Sequence, residues 1–109
     1  MLTPSLGSQY PDMLYDVVGA QEYHTHESAQ GEPQPSFDSV GVKALDNFTL
    51  EVTLNNPTPF FLGLLSHYST WPVHKETVLK HGSIDDRNGQ WTRPGNFVCN
   101  GAFQLKSWE

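Results

Sequence analysis

His24 and His26 form an H-x-H pair, and imidazoles spaced this way hold a metal ion if a carboxylate such as Glu22 or Glu27 completes the set. The setting is polar and has no second Cys or His pair close by, so a solvated surface loop accounts for the same residues more simply. His67, His74 and His81 recur evenly, but Pro72 interrupts any helix that could align them. Ser66 beside His67 lacks the G-x-S-x-G setting of a strained nucleophile turn. Asp85 and Asp86 are adjacent in a polar stretch and read as turn residues rather than as a carboxylate pair with separated pKa values. Cys99 is the single cysteine; beside Asn100-Gly101 it reads as a small buried residue preceding a strand, with a reactive thiol as the alternative. Gly95 and Gly101 are too far apart to cradle a phosphate. Asn47-Phe48-Thr49 has the form of a glycosylation sequon, although a turn already explains the asparagine. These residues supply no evident catalytic constellation, and the chain does not read as an enzyme.

The elements that must position these side chains follow from the apolar periodicity. Met13, Leu14, Val17, Val18 and Gln21 recur at helical spacing behind Pro11, which predicts a helix over 11–23. Residues 24–37 are polar and contain Gly31, Pro33 and Pro35, the composition of a surface loop. From 40 to 54 the period changes to two: Val42, Ala44, Leu50, Val52 and Leu54 alternate with polar residues around an Asp46-Asn47 turn, predicting an antiparallel hairpin. Thr58 and Pro59 form a start signal for a short buried helix over 59–67, with Phe60, Phe61, Leu64 and Leu65 as its apolar face. A second short helix is expected over 75–81, Val78 and Leu79 facing inward and Gly82 terminating it. Phe103, Leu105 and Ser107 alternate with Gln104 and Lys106, so 101–108 is expected to be a third strand beside the hairpin. The fold class is α+β, a small antiparallel sheet packed by short helices.

Composition narrows the partners. The 109 residues are 37% hydrophobic and 12% aromatic, enough for one small domain with a core of its own. Nine Gly and eight Pro imply short elements joined by turns. The net charge of -6 comes without a Lys or Arg cluster, which argues against nucleic acid as a partner. No stretch approaches the roughly 20 apolar residues of a membrane span. Both ends read as cut from a longer chain, so no signal sequence is expected here.

Several linked motifs add a resemblance. Gly41-Val42-Lys43-Ala44-Leu45-Asp46, Thr49-Leu50-Glu51-Val52-Thr53-Leu54 and Pro57-Thr58-Pro59-Phe60-Phe61 stand in one order with Leu64-Leu65-Ser66-His67, Trp71-Pro72-Val73, Trp91-Thr92-Arg93-Pro94-Gly95-Asn96 and Cys99-Asn100-Gly101-Ala102-Phe103-Gln104-Leu105-Lys106-Ser107-Trp108. Together they closely resemble the oligopeptide-binding protein family of ABC importers, over residues 8–109, with 24–37 departing most. Cys99 stands where Thr is usual in that resemblance.

The resemblance implies a bacterial extracellular solute-binding protein, periplasmic or tethered outside the membrane, whose two lobes close on a ligand. Residues 1–109 would be a single subdomain of the first lobe, a fragment of a larger protein. The implied partners are a peptide ligand and a membrane ABC permease; no cofactor is implied. A peptide in such a site is held in extended form, backbone against strand edges and side chains in hydrated pockets. Tyr10, in Ser8-Gln9-Tyr10, resembles a cleft-facing tyrosine that packs on the ligand, and its plain alternative is a tyrosine packed on its own subdomain. His67 resembles a histidine lining a side-chain pocket, and its plain alternative is a surface residue at a helix end. The lobe and hinge that complete such a cleft lie outside this chain, so the fragment is not expected to bind peptide by itself. Two other readings stay open: the same family with a nickel-chelate, haem or oligosaccharide ligand, and a small stand-alone metal-binding domain built on His24, His26 and Glu27. A subdomain removed from its lobe would also expose apolar surface through which it could self-associate; the sequence does not fix the oligomeric state.

Overall fold

Alternation in the middle of the chain produces a two-stranded ribbon. In the computed structural model, which describes residues 1–26 and 33–109, β1 (Val42–Ala44) pairs antiparallel with β2 (Leu50–Val52) in the register Val42↔Val52, Lys43↔Glu51, Ala44↔Leu50. The register places opposite charges face to face at Lys43 and Glu51, a favourable cross-strand pair. Asp46 closes the hairpin: its carboxylate accepts from the Phe48 amide at 2.7 Å and from the Thr49 hydroxyl at 3.0 Å. This side-chain imitation of a backbone turn is the physical reason for an Asp at this position. The same two bonds, Phe48 first, hold the Asp46 carboxyl below its ordinary value.

The base of the hairpin is tied to residues 16–18. Val17 bridges Leu54 in antiparallel fashion. The Val18 amide donates to the Thr53 carbonyl at 3.0 Å, the Gly41 amide donates to the Val18 carbonyl at 2.8 Å, and the Asn55 amide donates to the Asp16 carbonyl at 2.8 Å. These long-range bonds take backbone groups that a helix would have used internally. The single helix expected over 11–23 is therefore two pieces, a 3-10 turn at Pro11–Leu14 and the α-helix α1 at Ala20–Thr25. Gly19 makes the break with φ +68, and a Cβ there would run into the Ser39 carbonyl oxygen.

The chain divides into two compact units, Met1–Thr70 and Trp71–Glu109. The first holds the core: Leu2, Val17, Ala20, Val40 and Phe61 are buried, with Leu14, Tyr23, Val42, Val52, Leu54 and Leu64 packed against them. α2 (Phe61–Leu64) is shorter than the helix expected over 59–67. Thr58 does not cap it; its hydroxyl donates to the Asn56 carbonyl at 3.1 Å. Gly63 weakens the helix interior, and the chain beyond Leu65 continues in three-residue turns. Phe61 and Leu64 serve the core, whereas Phe60 is exposed.

In the second unit α3 (Lys75–Lys80) is one residue shorter than the helix expected over 75–81; His81 caps it and Gly82 does not take the left-handed conformation of a terminating glycine. Only Thr77 and Val78 of its residues are buried, and Leu79, expected to face inward, is exposed. The His81 carbonyl accepts from the Gln90 amide at 3.0 Å, which closes the polar loop between them. Trp91 stacks on Phe97 at 6.3 Å. The strand expected over 101–108 is absent. Among the described residues the sheet has two strands, and the extra segment against the hairpin is 16–18. Alternation assigns faces, but an extended segment becomes a strand only by entering a ladder; Phe103 is left 88% exposed. The α+β class holds, as helices and a small antiparallel sheet. Of the loop expected over 24–37, His24 and Thr25 belong to α1, Pro33, Gln34, Ser36 and Phe37 are exposed, and 27–32 lies outside the described residues.

Two outcomes follow from the turn and the break. Gly19→Ala loses more than about 1 kcal/mol of stability in denaturant unfolding, because an alanine is forced to positive φ against a backbone oxygen. Asp46 has a folded pKa below its ordinary 3.8, so its support of the hairpin is present above that pH and is lost as pH falls through the lower folded value. Acid titration followed by circular dichroism shows this loss in the wild type and a smaller one in Asp46→Ala.

Candidate functional site

Pro11 fixes the start of the 3-10 turn at Pro11–Leu14 and restrains the residue before it; Tyr10 sits there with φ -130 and ψ 45. A second 3-10 turn, Tyr68–Thr70, stands opposite. It is locked by Thr70, whose amide donates to the His67 carbonyl at 3.0 Å and whose hydroxyl donates to the His67 and Leu65 carbonyls at 2.8 and 2.9 Å. The two turns meet through side chains. Tyr10 packs edge-on against His67 with ring centroids 5.5 Å apart and against Tyr68 at 6.4 Å, and His67 and Tyr68 lie 4.2 Å apart. The Ser69 hydroxyl adds a contact to the Met13 sulfur at 3.7 Å.

His67 is oriented rather than loose. Its Nδ1 lies 2.8 Å from the Ser69 hydroxyl and 3.4 Å from the Ser69 amide. Both contacts tie the ring to Ser69 of the second turn and fix its orientation. Beside the cluster is an open depression of about 300 Å3 lined by Met1, Ser8, Gln9, Tyr10, Tyr68 and Ser69. Its wall is aromatic with hydroxyl and amide edges, which suits a partly apolar ligand carrying polar groups. Desolvation, then repulsion from a Tyr10 phenolate and a hydrogen bond with Tyr10, raise the Tyr68 pKa above its ordinary 10.0.

The structure thus brings Tyr10 and His67 together, Tyr10 on the depression and His67 behind it. Tyr68 completes the group. Sequence reading missed it, although an aromatic directly after the histidine was the available signal. The other candidates serve local structure. His24 Nδ1 donates to the Leu2 carbonyl at 3.0 Å, His74 Nδ1 pairs with the Thr77 hydroxyl at 2.8 Å, and the Ser66 hydroxyl donates to the Gly63 carbonyl at 2.7 Å. Among the described residues no three His, Cys, Asp or Glu side chains converge as a metal site; Glu27 lies outside them. Asp86 accepts the Asn88 amide at 2.8 Å, and the hydrogen bond from Ser83 lowers the Asp85 pKa, as turn residues do. Cys99 is exposed, not buried; with no strand after it there is nothing to cover it, and its thiol reaches the Phe103 carbonyl at 3.2 Å.

Comparison with known proteins decides the family. Residues 10–109 match the bacterial extracellular solute-binding proteins, family 5 Middle. The chain belongs to this family. It is 48% identical over 77 residues to the periplasmic oligopeptide-binding protein OppA of Escherichia coli, which covers 71% of this chain and 13% of that protein. It is 36% identical over 110 residues to the oligopeptide-binding protein OppA of Bacillus subtilis, covering 99% of this chain and 18% of that one. The crystal structure of a periplasmic oligopeptide-binding protein, OppAIV, from Borrelia burgdorferi superimposes with a TM-score of 0.77 at 35% identity, over 99% of this chain and 19% of that structure. The chain therefore spans less than a fifth of the length of each of these relatives.

Because Tyr68 has a raised folded pKa, the cluster contributes stability that is fully present below pH 10.0 and is lost as pH rises through the raised value. Ultraviolet titration of the phenolates shows one transition above the ordinary tyrosine range, and Tyr10→Phe moves it downward.

Proposed function

We propose that this chain is a subdomain of the first lobe of an extracytoplasmic solute-binding protein that captures oligopeptides and delivers them to the permease of an ABC importer. It contributes binding surface and no catalysis, in the periplasm or tethered outside the membrane. The observation that carries the reading is the joining of Tyr10, His67 and Tyr68 into one aromatic group beside an open depression. Membership of a solute-binding family supports reading that group as a wall for a ligand rather than as a reaction centre. Tyr10 presents a ring face and a hydroxyl, Tyr68 a second hydroxyl, and His67 holds both rings at a fixed angle. Such a wall accepts many side chains, since ring faces and hydrated hydroxyls impose little geometry.

An open wall alone holds a peptide on one side. Affinity in a two-lobed binder comes from closure over the other side, which excludes water and supplies the remaining contacts. Among the described residues no helix is long and apolar enough to cross a membrane.

The test uses the longer protein that contains these residues. Mass spectrometry of ligands released from it identifies peptides, and calorimetry with them gives a dissociation constant that Tyr10→Ala weakens about 2- to 10-fold, the equivalent of ~0.5–1.5 kcal/mol for a lost aromatic contact. The 109-residue chain gives no micromolar binding to the same peptides. Release of a non-peptide ligand, or unchanged affinity in Tyr10→Ala and His67→Ala alike, overturns the reading.

A further inference from the structure

Two Asn-Gly pairs, Asn88-Gly89 and Asn100-Gly101, occur in the second unit. The pair is chemically special because a glycine amide has no side chain to shield it from the asparagine carboxamide before it. Their surroundings differ. Asn88 donates its amide to the Asp86 carboxylate at 2.8 Å, the Gly89 amide donates to the Asp86 carbonyl at 3.3 Å, and the Asn88 carbonyl accepts from the Gln90 side chain at 3.3 Å. Gly89 is also crowded, since a Cβ there would stand 3.0 Å from the Trp91 ring. Asn100 and Gly101 are both exposed, nothing lies within 4 Å of the place a Gly101 Cβ would occupy, and among the described residues the Gly101 amide makes no backbone hydrogen bond.

We propose that Asn100 is a site of spontaneous modification by deamidation, and that the Asp86 turn protects Asn88 from the same reaction. The Gly101 nitrogen loses its proton to water or hydroxide and attacks Cγ of Asn100. The new C–N bond closes a five-membered succinimide, the bond from Cγ to Nδ2 breaks, and ammonia leaves with the proton it takes up. Water then opens either carbonyl of the ring, giving aspartate or isoaspartate; nothing is oxidised or reduced. For Asn88 the attacking nitrogen must first give up its bond to Asp86, and the backbone on both sides must turn while still tethered. At position 100 the reaction adds a negative charge to a chain that already carries -6. The isoaspartate form also moves the main chain through the side-chain carbon, which displaces the segment beginning at Gly101.

The test follows both sites by peptide mapping of the longer protein that contains these residues, held at mildly alkaline pH, with and without denaturant, and with isoaspartyl methyltransferase as an independent readout. In denaturant both asparagines convert at comparable rates. Under native conditions Asn100 keeps its rate, whereas Asn88 slows roughly tenfold or more, the factor that two net hydrogen bonds supply. Gly101→Ala suppresses conversion at Asn100, and Asp86→Ala raises it at Asn88. Equal native rates at the two sites, or an Asn100 slowed as much as Asn88, overturn the proposal, and neither outcome depends on a variant folding.

Discussion

The structure depends on the backbone of Val18. Its amide and carbonyl both go to the hairpin, one to Thr53 and the other to Gly41, while the Thr53 amide donates to Gly41 at 2.8 Å. This knot of three strand-like segments sets the rest of the first unit. It pulls Val17 into almost complete burial at 1% exposure, contributing about 1.5–3 kcal/mol of apolar transfer. It also needs close approach: a Cβ at Gly41 would lie 2.8 Å from the Thr53 oxygen. Glycine at 19 and at 41 is thus a condition of the fold rather than a sign of flexibility.

From that knot the site inherits its position. Residues 16–18 anchor the chain leaving the 3-10 turn that Tyr10 caps, and Asn55 reinforces it by donating to the Tyr15 and Val17 carbonyls at 3.1 and 3.4 Å. On the other side Phe61 enters the same core, so α2 leads the chain from the core to His67 and Tyr68. Each aromatic of the cluster is therefore a short run of chain away from a buried anchor. That is how residues far apart in sequence come to share one wall.

How legible this was differs between elements, for a physical reason in each case. The hairpin was readable because its alternation and the Asp46 turn agree with each other. Residues 11–23 were not, since Met13, Leu14, Val17 and Val18 suit a helical face and a strand edge alike. What decides between them is the hydrogen bonding of Val18 to residues distant in sequence, which no local pattern records. The reading of 101–108 failed in the opposite direction: its alternation is real, but among the described residues no ladder takes it in, and Cys99 before it is exposed. Tyr10 and His67 came from the family resemblance rather than from their own spacing. Only the folded structure shows that they touch, and that Tyr68 touches both.

The separation between scaffold and wall has a consequence for how such a site can vary. Val18, Gly41 and Thr53 work through main-chain groups, whereas Tyr10, His67 and Tyr68 meet through side chains that the core does not use. Tyr10 and Tyr68 are 42% and 59% exposed, so exchanging either changes the chemistry of the depression at little expense to packing. The Ser69 and Thr70 bonds that fix the second turn go to His67, Met13 and the Leu65 carbonyl and not to the Tyr68 ring. A fold arranged in this way can hold its shape while the side chains on the depression drift, because the main-chain bonds that determine where Tyr10 and Tyr68 stand do not use their rings.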